Sequence, residues 1–341
     1  MIPAGNMLRH PLLCLFQGYL RHVILHITER CSLRCKTCFV RKGGRDMHIE
    51  EARHIAGRLG KVRWLDIGGG EPFLHPGLAD ICRLFPNSDI TIPTNGQDPD
   101  TIRDTARDLA AFFKGRLTLA VSIDGFESIN DAIRGAGSYQ NALQTLTLLR
   151  EVPGLTLKVN TVISNANLPE LTPFMRHIRA LEPDYHSLLL VRGAPDDPAI
   201  ALPPLKELEA ATPEILDILG SYRFGNRPHS PMGMLKKRYQ RYLWHINLKT
   251  LRTRRCWVPC KAPYLHRVVY PDGSISLCEL MPPVGNLLEE PMDVLEKRMH
   301  QFLEQYEQKQ GPCFCTHNCN LGENIQTHPQ SILAVLLGID P

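Results

Sequence analysis

The stretch HVILHITERCSLRCKTCF, residues 22–39, decides the fold that we predict for this chain. Its first seven residues are apolar or β-prone, as expected for a buried strand. Three cysteines follow closely, with the spacing C-x3-C-x2-C. In parallel α/β sheets, ligand sites lie at the carboxyl ends of the strands. A cysteine loop directly after a strand therefore predicts a metal site at that edge.

Strand and helix patterns alternate six times through the first two thirds of the chain. Helical spacing of apolar residues recurs between the strands, for example over 47–59 and from Ser138 and Asn167 onward. Such alternation predicts a parallel sheet of βα units, and six units suit a partial, open TIM-like (βα)6 barrel of the α/β class. The predicted strands cover 22–28, 62–68, 89–94, 117–123, 157–164 and 186–191.

Polar and glycine-rich motifs fall at the carboxyl ends of these predicted strands. Strand two ends in a glycine run, and strands three and four end in short polar motifs. Their convergence on one edge predicts a single ligand site there. The residues are Gly68, Gly69, Gly70 and Glu71 after strand two, Thr94, Asn95 and Gly96 after strand three, Ser122 and Asp124 after strand four, and Asn160 within strand five.

The three thiolates of Cys31, Cys35 and Cys38 suit two kinds of metal site. They can hold three corners of a [4Fe–4S] cube and leave the fourth iron open to a small chelating molecule. The alternative is a structural zinc site, which needs four ligands, and no fourth ligand is conveniently spaced in this loop. His26 and His48 lie nearby in sequence but fit the predicted strand and helix.

Six further cysteines lie near the carboxyl terminus, at 256, 260, 278, 313, 315 and 319. The hairpin pattern 265–278, with its turn at 271–273, separates the first two of these cysteines from the last three. A helix is predicted from about 291 to 308. We therefore divide the chain into a core over 17–220, a basic segment over 221–255 and a second cysteine domain over 256–341.

Composition and charge exclude several classes of protein. Hydrophobic content of 43% with 22% charged residues is ordinary globular composition and excludes disorder, collagen and coiled coil. Apolar runs are too short for a membrane span or a signal-peptide core, so we expect a cytoplasmic protein with no membrane partner. Residues 218–271 contain twelve Lys or Arg and no acid. This stretch is either a solvated surface or a positive wall that attracts an anionic ligand.

The motifs together resemble those of the radical S-adenosylmethionine (SAM) enzymes. The resemblance rests on residues 31–39, the glycine run ending in Glu71, residues 94–96 and residues 122–125. It implies that Cys31, Cys35 and Cys38 bind a [4Fe–4S] cluster and that SAM chelates the open iron. It further implies reductive cleavage of SAM to methionine and a 5′-deoxyadenosyl radical, with a flavodoxin- or ferredoxin-type protein as electron donor.

The resemblance also implies roles for individual residues around SAM. Phe39 is expected against the adenine ring, and Gly69 and Gly70, with Glu71 closing their run, near the methionine amino group. Ser122 is expected to hydrogen-bond the ribose, with Asn160 as a second candidate for the same role. Arg134 is expected to pair with the SAM carboxylate, for which a guanidinium is well shaped.

The carboxyl-terminal third resembles the auxiliary-cluster extensions called SPASM and, in shortened form, twitch domains. Six cysteines are too few for two fully cysteine-ligated cubes, so one auxiliary [4Fe–4S] cluster is expected. The expected ligands are Cys260, Cys278, Cys315 and Cys319, with Cys313 as an alternate and Cys256 as a spare or weak ligand. A zinc ribbon is the alternative for this region.

Three functions remain open from the sequence. The first is an oxidoreductase or epimerase acting on a small, anionic substrate such as a sugar, aminocyclitol or nucleotide-like alcohol that bears a phosphate or carboxylate. The second is a peptide maturase, although only thirty residues precede Cys31. The third is a non-enzymatic iron–sulfur or zinc protein for electron transfer or binding. A nucleic-acid partner is not expected.

Overall fold

The structure, a computed structural model, describes residues 20–224, 230–310 and 313–341. The start of the predicted core, 17–19, and part of the basic segment, 225–229, lie outside the described residues. The described strands form one nine-stranded sheet in the order β6-β5-β4-β3-β2-β1-β7-β8-β9. The ends of this sheet do not pair with each other, so the barrel is open, as predicted.

Strands β1 to β6 run parallel to one another, each joined to the next by a helical connection. All six coincide with the strands predicted from sequence to within two residues at each end, which confirms the partial barrel. The strands are β1 (Leu20–Thr28), β2 (Val62–Gly69), β3 (Asp89–Thr94), β4 (Leu117–Ser122), β5 (Leu155–Ile163) and β6 (Tyr185–Leu190).

A seventh parallel strand comes from the carboxyl-terminal third, which the sequence did not predict. The predicted hairpin forms β7 (His266–Val269) and β8 (Ser274–Ser276), followed by β9 (Gly285–Asn286). Strand β7 pairs in parallel with β1, from the pair His22 and His266 onward. The second cysteine region is thus joined to the barrel sheet by backbone hydrogen bonds.

Twelve α-helices are described, and those between the parallel strands cover the outer face of the sheet. Helix α1 places Ala52, Ile55 and Leu59 in the core, as its spacing predicts. The helices are α1 (Ile49–Leu59), α2 (Leu78–Arg83), α3 (Pro99–Phe113), α4 (Glu127–Arg134), α5 (Ser138–Leu149), α6 (Leu171–Ala180), α7 (Leu205–Gly220), α8 (Pro231–Thr253), α9 (Ala262–Leu265), α10 (Met292–Gln310), α11 (Asn318–Thr327) and α12 (Pro329–Leu337).

Side chains alternate between two faces along each barrel strand. In β1, Val23, Leu25 and Ile27 are fully buried in the apolar core beneath the helices. Ile24 and His26 lie on the opposite face and line a cavity inside the barrel. The alternation therefore gives the barrel an interior that is polar in part, although both of its faces are buried.

In the described ranges, every helix is either too short or too polar to span a lipid bilayer.

Candidate functional site

The first cysteine loop is held at the carboxyl edge of the sheet by backbone hydrogen bonds. The Cys38 amide donates to the Cys35 carbonyl at 3.0 Å, and the Lys36 amide donates to the Ile133 carbonyl at 2.8 Å. Cys31, Cys35 and Cys38 are all partly exposed. Burial raises the pKa of both Cys31 and Cys35, so these thiols are protonated until a metal replaces the proton.

The glycine run of strand β2 packs its backbone directly on this loop. The Gly70 amide donates to the Thr28 carbonyl, and the Glu71 amide donates to the Arg30 carbonyl, each at 2.8 Å. A Cβ at Gly69 would lie 2.2 Å from the Thr28 oxygen, and one at Gly70 would lie 2.0 Å from the Arg30 oxygen. Gly69 also has φ +117°, which disfavours any side chain. A side chain at either position would therefore collide with the backbone that leads into the cysteine loop, so both positions require glycine.

Glu71 lies beneath the site and is only 3% exposed. Its carboxylate accepts hydrogen bonds from the Asn95 amide at 2.7 Å and from Thr94 Oγ1 at 2.9 Å. Burial raises the pKa of Glu71 to about 7, against these hydrogen bonds, which lower it. Asn95 in turn extends Nδ2 toward Ser32 Oγ, at 3.1 Å, and Cys31 Sγ, at 3.7 Å. Glu71 thus orients Asn95 against the cysteine loop.

Ser122, at the end of β4, and Asn160, within β5, lie side by side as register partners. Asn160 Oδ1 is buried and has no hydrogen-bond partner in the described part of the chain. A buried acceptor without a donor is unfavourable, so an unpaired amide oxygen at this edge fits a ligand that carries hydroxyl groups. The ribose of SAM is such a ligand.

Arg134 is buried beside the first cysteine loop, with 9% exposure. Its Nε lies 2.8 Å from Asp124 Oδ2, and its Nη1 lies 3.9 Å from Cys35 Sγ. Burial, the largest influence, lowers the pKa of Arg134. The nearby Asp124 carboxylate and Cys35 thiol raise this pKa, and the net shift is upward. The guanidinium is therefore anchored at one side, and its Nη1 side faces the cysteine loop.

Phe39 is sandwiched between its own loop and the segment after β6. The Arg192 guanidinium carbon lies 5.1 Å from the centre of the Phe39 ring. Gly193, with φ +72°, passes so close that a Cβ there would lie 3.0 Å from Phe39 Cγ. The ring position expected to meet adenine is thus fixed by these two neighbours.

Five carboxyl-terminal cysteines gather into a second group, formed by three separated segments. The Cys256 thiol donates to the Cys313 carbonyl at 3.0 Å. Burial raises the pKa of Cys278 to about 12 and of Cys315 to about 11, with neighbouring thiols adding to both. Electrostatic effects between neighbouring thiols link all five members of the group, which are Cys256, Cys260, Cys278, Cys313 and Cys315.

Cys319, which we expected as an auxiliary ligand, lies elsewhere. Its thiol points into the barrel interior and donates to Asp66 Oδ2 at 3.8 Å. The cause is local, because Cys319 belongs to helix α11, which begins at Asn318 and enters the open side of the barrel. Asn318 Nδ2 donates to the Leu188 carbonyl at 2.7 Å and holds the start of that helix on strand β6.

The spacing of the thiols bears on the choice between zinc and an iron–sulfur cluster. Tetrahedral zinc with Zn–S bonds of ~2.3 Å requires thiolates about 3.8 Å apart. Within the described ranges, neither cysteine group brings three thiols within 4.8 Å of one another. Among the described residues, neither group therefore offers the close set of thiols that a single zinc ion requires, whereas three thiolates suffice to hold a [4Fe–4S] cube with one open iron.

A cavity of about 240 Å³ occupies the barrel interior and reaches the cysteine edge. Gly68, Gly69 and Asn160 line it at the edge, and Asp66 and Lys158 line it deeper in the barrel. Helices α8 and α11 close the open side of the barrel with Tyr239, Gln240, Leu243, Asn318 and Cys319. The cavity thus connects the candidate SAM site with a polar interior.

Glu279 links the two cysteine regions, and sequence patterns did not single it out. It follows Cys278, lines the cavity, and accepts hydrogen bonds from His317 Nε2 at 2.6 Å and His26 Nε2 at 3.3 Å. Arg192, which packs on Phe39, lies 3.5 Å from the same carboxylate. Its position next to Cys278 was the one sequence signal that could have pointed to Glu279. Its partners come from β1, the loop after β6 and the segment before α11, and sequence patterns do not bring these together.

The basic side chains of the stretch 218–271 do not form a wall of the cavity where the structure describes them, although Tyr239, Gln240 and Leu243 of this stretch line it. Arg241 pairs with Asp340 at 2.8 Å, and Arg252 pairs with Glu209 at 2.6 Å. These side chains and three other basic residues of the stretch lie outside the set that lines the cavity. The three are Lys249, which stacks on Trp257, Arg254, which stacks on Phe314, and the exposed Arg255.

Comparison with known proteins identifies the region around the first cysteine loop. Residues 25–172 match the family model of the Radical SAM superfamily, from within β1 to the start of α6. The matched segment contains the cysteine loop, the glycine run and the strand ends described above. This agreement supports the SAM-binding and iron–sulfur character inferred from the motifs.

Related proteins differ in what they act on. The chain is 32% identical over 162 residues to an S-adenosylmethionine-dependent nucleotide dehydratase of Selenomonas ruminantium, covering 43% of this chain and 58% of that protein. It is 27% identical over 154 residues to mycofactocin maturase MftC of Mycobacterium tuberculosis, covering 43% and 39%. The chain thus spans about half the length of these curated relatives.

One solved structure shares the fold over nearly the whole chain. It is anSMEcpe with bound AdoMet, with a TM-score of 0.62 and 14% identity, covering 94% of this chain and 96% of that one. A further structure of anSMEcpe contains AdoMet and the Cp18Cys peptide. At this identity the likeness shows the fold alone.

Proposed function

We propose that this protein removes a hydrogen atom from a small substrate, because residues 25–172 match the family model of the Radical SAM superfamily. Cys31, Cys35 and Cys38 would hold a [4Fe–4S] cluster whose open iron takes SAM. When bound, the cluster and SAM supply a 5′-deoxyadenosyl radical by reductive cleavage, with the electron coming from a flavodoxin- or ferredoxin-type donor. The observation that carries the proposal is the three-thiol loop sealed onto the glycine run at the carboxyl edge of the barrel.

The chain's own residues orient SAM at that edge. Ser122 and the unpaired Asn160 Oδ1 would receive the ribose, and Phe39 would support the adenine ring from its fixed position on Arg192. Arg134 would turn its Nη1 side to the SAM carboxylate while Asp124 holds Nε. The backbone at Gly69 and Gly70 would meet the methionine amino group, and Glu71 supports the site indirectly through Asn95.

The second cysteine group would hold one auxiliary [4Fe–4S] cluster within a SPASM- or twitch-type domain. The structure favours a ligand set drawn from Cys260, Cys278, Cys313 and Cys315, with Cys256 as the fifth thiol of the group. This set replaces the expected Cys319 with Cys313. The proposed division of the chain is 17–220 as the core, 221–255 as the basic segment and 256–341 as the auxiliary domain. Strand β7 of the auxiliary domain extends the sheet of the core.

A small molecule fits the interior better than a large substrate. The cavity of about 240 Å³ is smaller than the ~300–1,000 Å³ of most ligand pockets. An oxidation or epimerisation of such a molecule is the reaction class that we propose, with the auxiliary cluster assisting electron transfer. A peptide maturase is the second candidate, favoured by the sequence similarity to mycofactocin maturase MftC.

The test is anaerobic incubation of reconstituted protein with SAM and dithionite, followed by chromatography for 5′-deoxyadenosine. We expect 5′-deoxyadenosine from the natural chain and none from the Cys31→Ala variant. A Cys82→Ala variant is the matched control, because Cys82 is a fully buried core cysteine far from the loop in sequence. Cleavage of SAM that persists without Cys31 would contradict the proposed site.

A further inference from the structure

Asp66, Lys158 and Tyr185 line the barrel cavity below its cysteine edge, and we name these three side chains the cavity floor. We infer that the cavity floor binds the substrate and that this substrate is a neutral polyhydroxylated molecule, such as a sugar or cyclitol. The inference rests on the proposed function and deepens it, because it assigns the substrate a place and a chemical class.

Two polar atoms of the cavity floor are buried without a hydrogen-bond partner in the described ranges. They are Asp66 Oδ1 and the Tyr185 hydroxyl. The other carboxylate oxygen, Asp66 Oδ2, is satisfied by His22 Nε2 at 3.1 Å and by the Cys319 thiol. Buried polar groups are normally paired, so two unpaired ones on one cavity indicate a ligand that supplies the missing bonds.

The cavity floor lies at the right depth for a molecule that must meet SAM. Lys158 precedes Asn160 by two residues on β5, and Asp66 precedes Gly68 by two residues on β2. Two residues of a strand span about 6.6 Å and return to the same face of the sheet. Tyr185 is the register partner of Lys158 on β6. A substrate on the cavity floor would therefore lie directly beneath the SAM edge, one layer of the barrel interior below Gly68 and Asn160.

Charges along the cavity argue for a neutral ligand. Asp66 and Glu279 contribute two carboxylates, and Lys158 and Arg192 contribute two cations. Glu279 and Arg192 pair with each other, and Lys158 acts electrostatically on Asp66. A phosphate on the cavity floor would set its oxygens against Asp66. A hydroxyl group can donate to Asp66 Oδ1 and accept from Lys158, so a vicinal diol satisfies both.

A metal ion is the competing occupant of this region. One donor atom each of His22, Asp66 and Cys319 lie within 4.8 Å of one another. Lys158 is close enough to Asp66 and Cys319 to act on both electrostatically. The Lys158 ammonium group already supplies the positive charge that a metal ion would bring. The balance of charge therefore favours an uncharged ligand over a metal.

The first test measures binding without turnover. Reconstituted protein with SAM and no reductant is titrated anaerobically with D-glucose, D-glucose 6-phosphate and zinc chloride in an isothermal calorimeter. We expect D-glucose to bind at least tenfold more tightly than D-glucose 6-phosphate, and this preference to shrink in Asp66→Asn. Tighter binding of the phosphate, no measurable binding of D-glucose, or stoichiometric zinc binding that Cys319→Ser abolishes would overturn the inference.

The second test uses a matched pair of tyrosines. Tyr185 and Tyr222 are both buried with unpaired hydroxyls, but of the two Tyr185 lines the cavity. We expect Tyr185→Phe to weaken D-glucose binding roughly three- to tenfold, and Tyr222→Phe to leave it unchanged. Neither change should lower the melting temperature, since each removes a hydroxyl that has no partner. Equal effects on binding, or a lowered melting temperature for Tyr185→Phe, would return Tyr185 to a structural role.

The two proposals fail in different measurements. A chain that forms 5′-deoxyadenosine but shows no preference for D-glucose contradicts the inference about the cavity floor alone. A chain that binds D-glucose but forms no 5′-deoxyadenosine contradicts the proposed radical chemistry.

Discussion

The two cysteine regions of this molecule are built in opposite ways. The first uses one short loop, in which Cys31, Cys35 and Cys38 follow a single strand and are sealed onto the glycine run by backbone hydrogen bonds. The second collects thiols from three segments, before α9, after β8 and before α11, that are up to sixty residues apart in sequence. A local site can be read from spacing, whereas a distributed site depends on how the segments pack.

Cys319 shows the consequence of that difference. It is four residues from Cys315 and looks like a ligand by spacing, but helix α11 carries it to Asp66 inside the barrel. Distances along the chain therefore predict ligands only where the intervening backbone is a loop.

The largest effect is expected from emptying the local site. The Cys31→Ala, Cys35→Ala, Cys38→Ala triple variant should lose about half of the ~8 iron atoms that two cubes contain. Formation of 5′-deoxyadenosine should fall to background. Iron is measured after anaerobic reconstitution, with circular dichroism as the control for folding. Undiminished iron in a folded variant would show that these thiols hold no cluster.

The distributed site is tested by comparing Cys278→Ala with Cys319→Ala. Cys278→Ala should lose about four iron atoms per chain, since a cube lacking a ligand is labile. Cys319→Ala should keep the iron of both clusters, because its thiol lies on Asp66. Iron content and the visible absorption of the clusters are the measurements. Equal iron loss in the two variants would restore Cys319 to the auxiliary ligands and break the contrast.

Glu71, which supports the local site from below, is expected to make stability depend on pH. Its pKa rises from the usual 4.5 to about 7 because of burial, so the folded chain holds a proton that the unfolded chain has released between these values. The free energy of unfolding should therefore decrease as pH rises from about 4.5 to 7, by about 3 kcal/mol in total. Urea unfolding of metal-free protein at several pH values checks this.

The control for this experiment is Glu71→Gln, which cannot ionise. Its unfolding free energy should be lower at acidic pH, because an amide group replaces one of the acceptors of Asn95 and Thr94. The part of the pH dependence due to Glu71 should also disappear. The same slope in both proteins between pH 5 and 7 would mean that Glu71 is not the titrating group.

The smallest effect is expected from the basic stretch before the distributed site. Arg252 is 62% exposed in its pair with Glu209, and exposed pairs contribute ~0–1 kcal/mol. The Arg252→Ala, Arg254→Ala double variant should unfold at nearly the same urea concentration, retain its iron and bind D-glucose unchanged. A binding constant for D-glucose 6-phosphate that depends on salt and on these arginines would instead revive the positive wall.

Most of the barrel could be predicted from the sequence because its information is local. Six apolar strand patterns and the helices between them lie where periodicity placed them, and the strand ends carry the expected polar residues. The seventh parallel strand was missed because β7 is short and pairs with β1, more than two hundred residues away. Hairpin chemistry at 271–273 predicted the turn correctly but could not reveal which sheet the hairpin would join.

The candidate site divides in the same manner. The three-thiol loop, the glycine run and the polar strand ends could be predicted from the sequence, because each is a short motif whose geometry follows from neighbouring backbone. Tertiary structure alone decided that Glu279 would link both cysteine regions, that Cys319 would leave the second group, and that Asp66, Lys158 and Tyr185 would share one cavity. These residues come from distant segments, and their contacts arise when the open side of the barrel is closed by α8 and α11, an event of packing that no local pattern encodes.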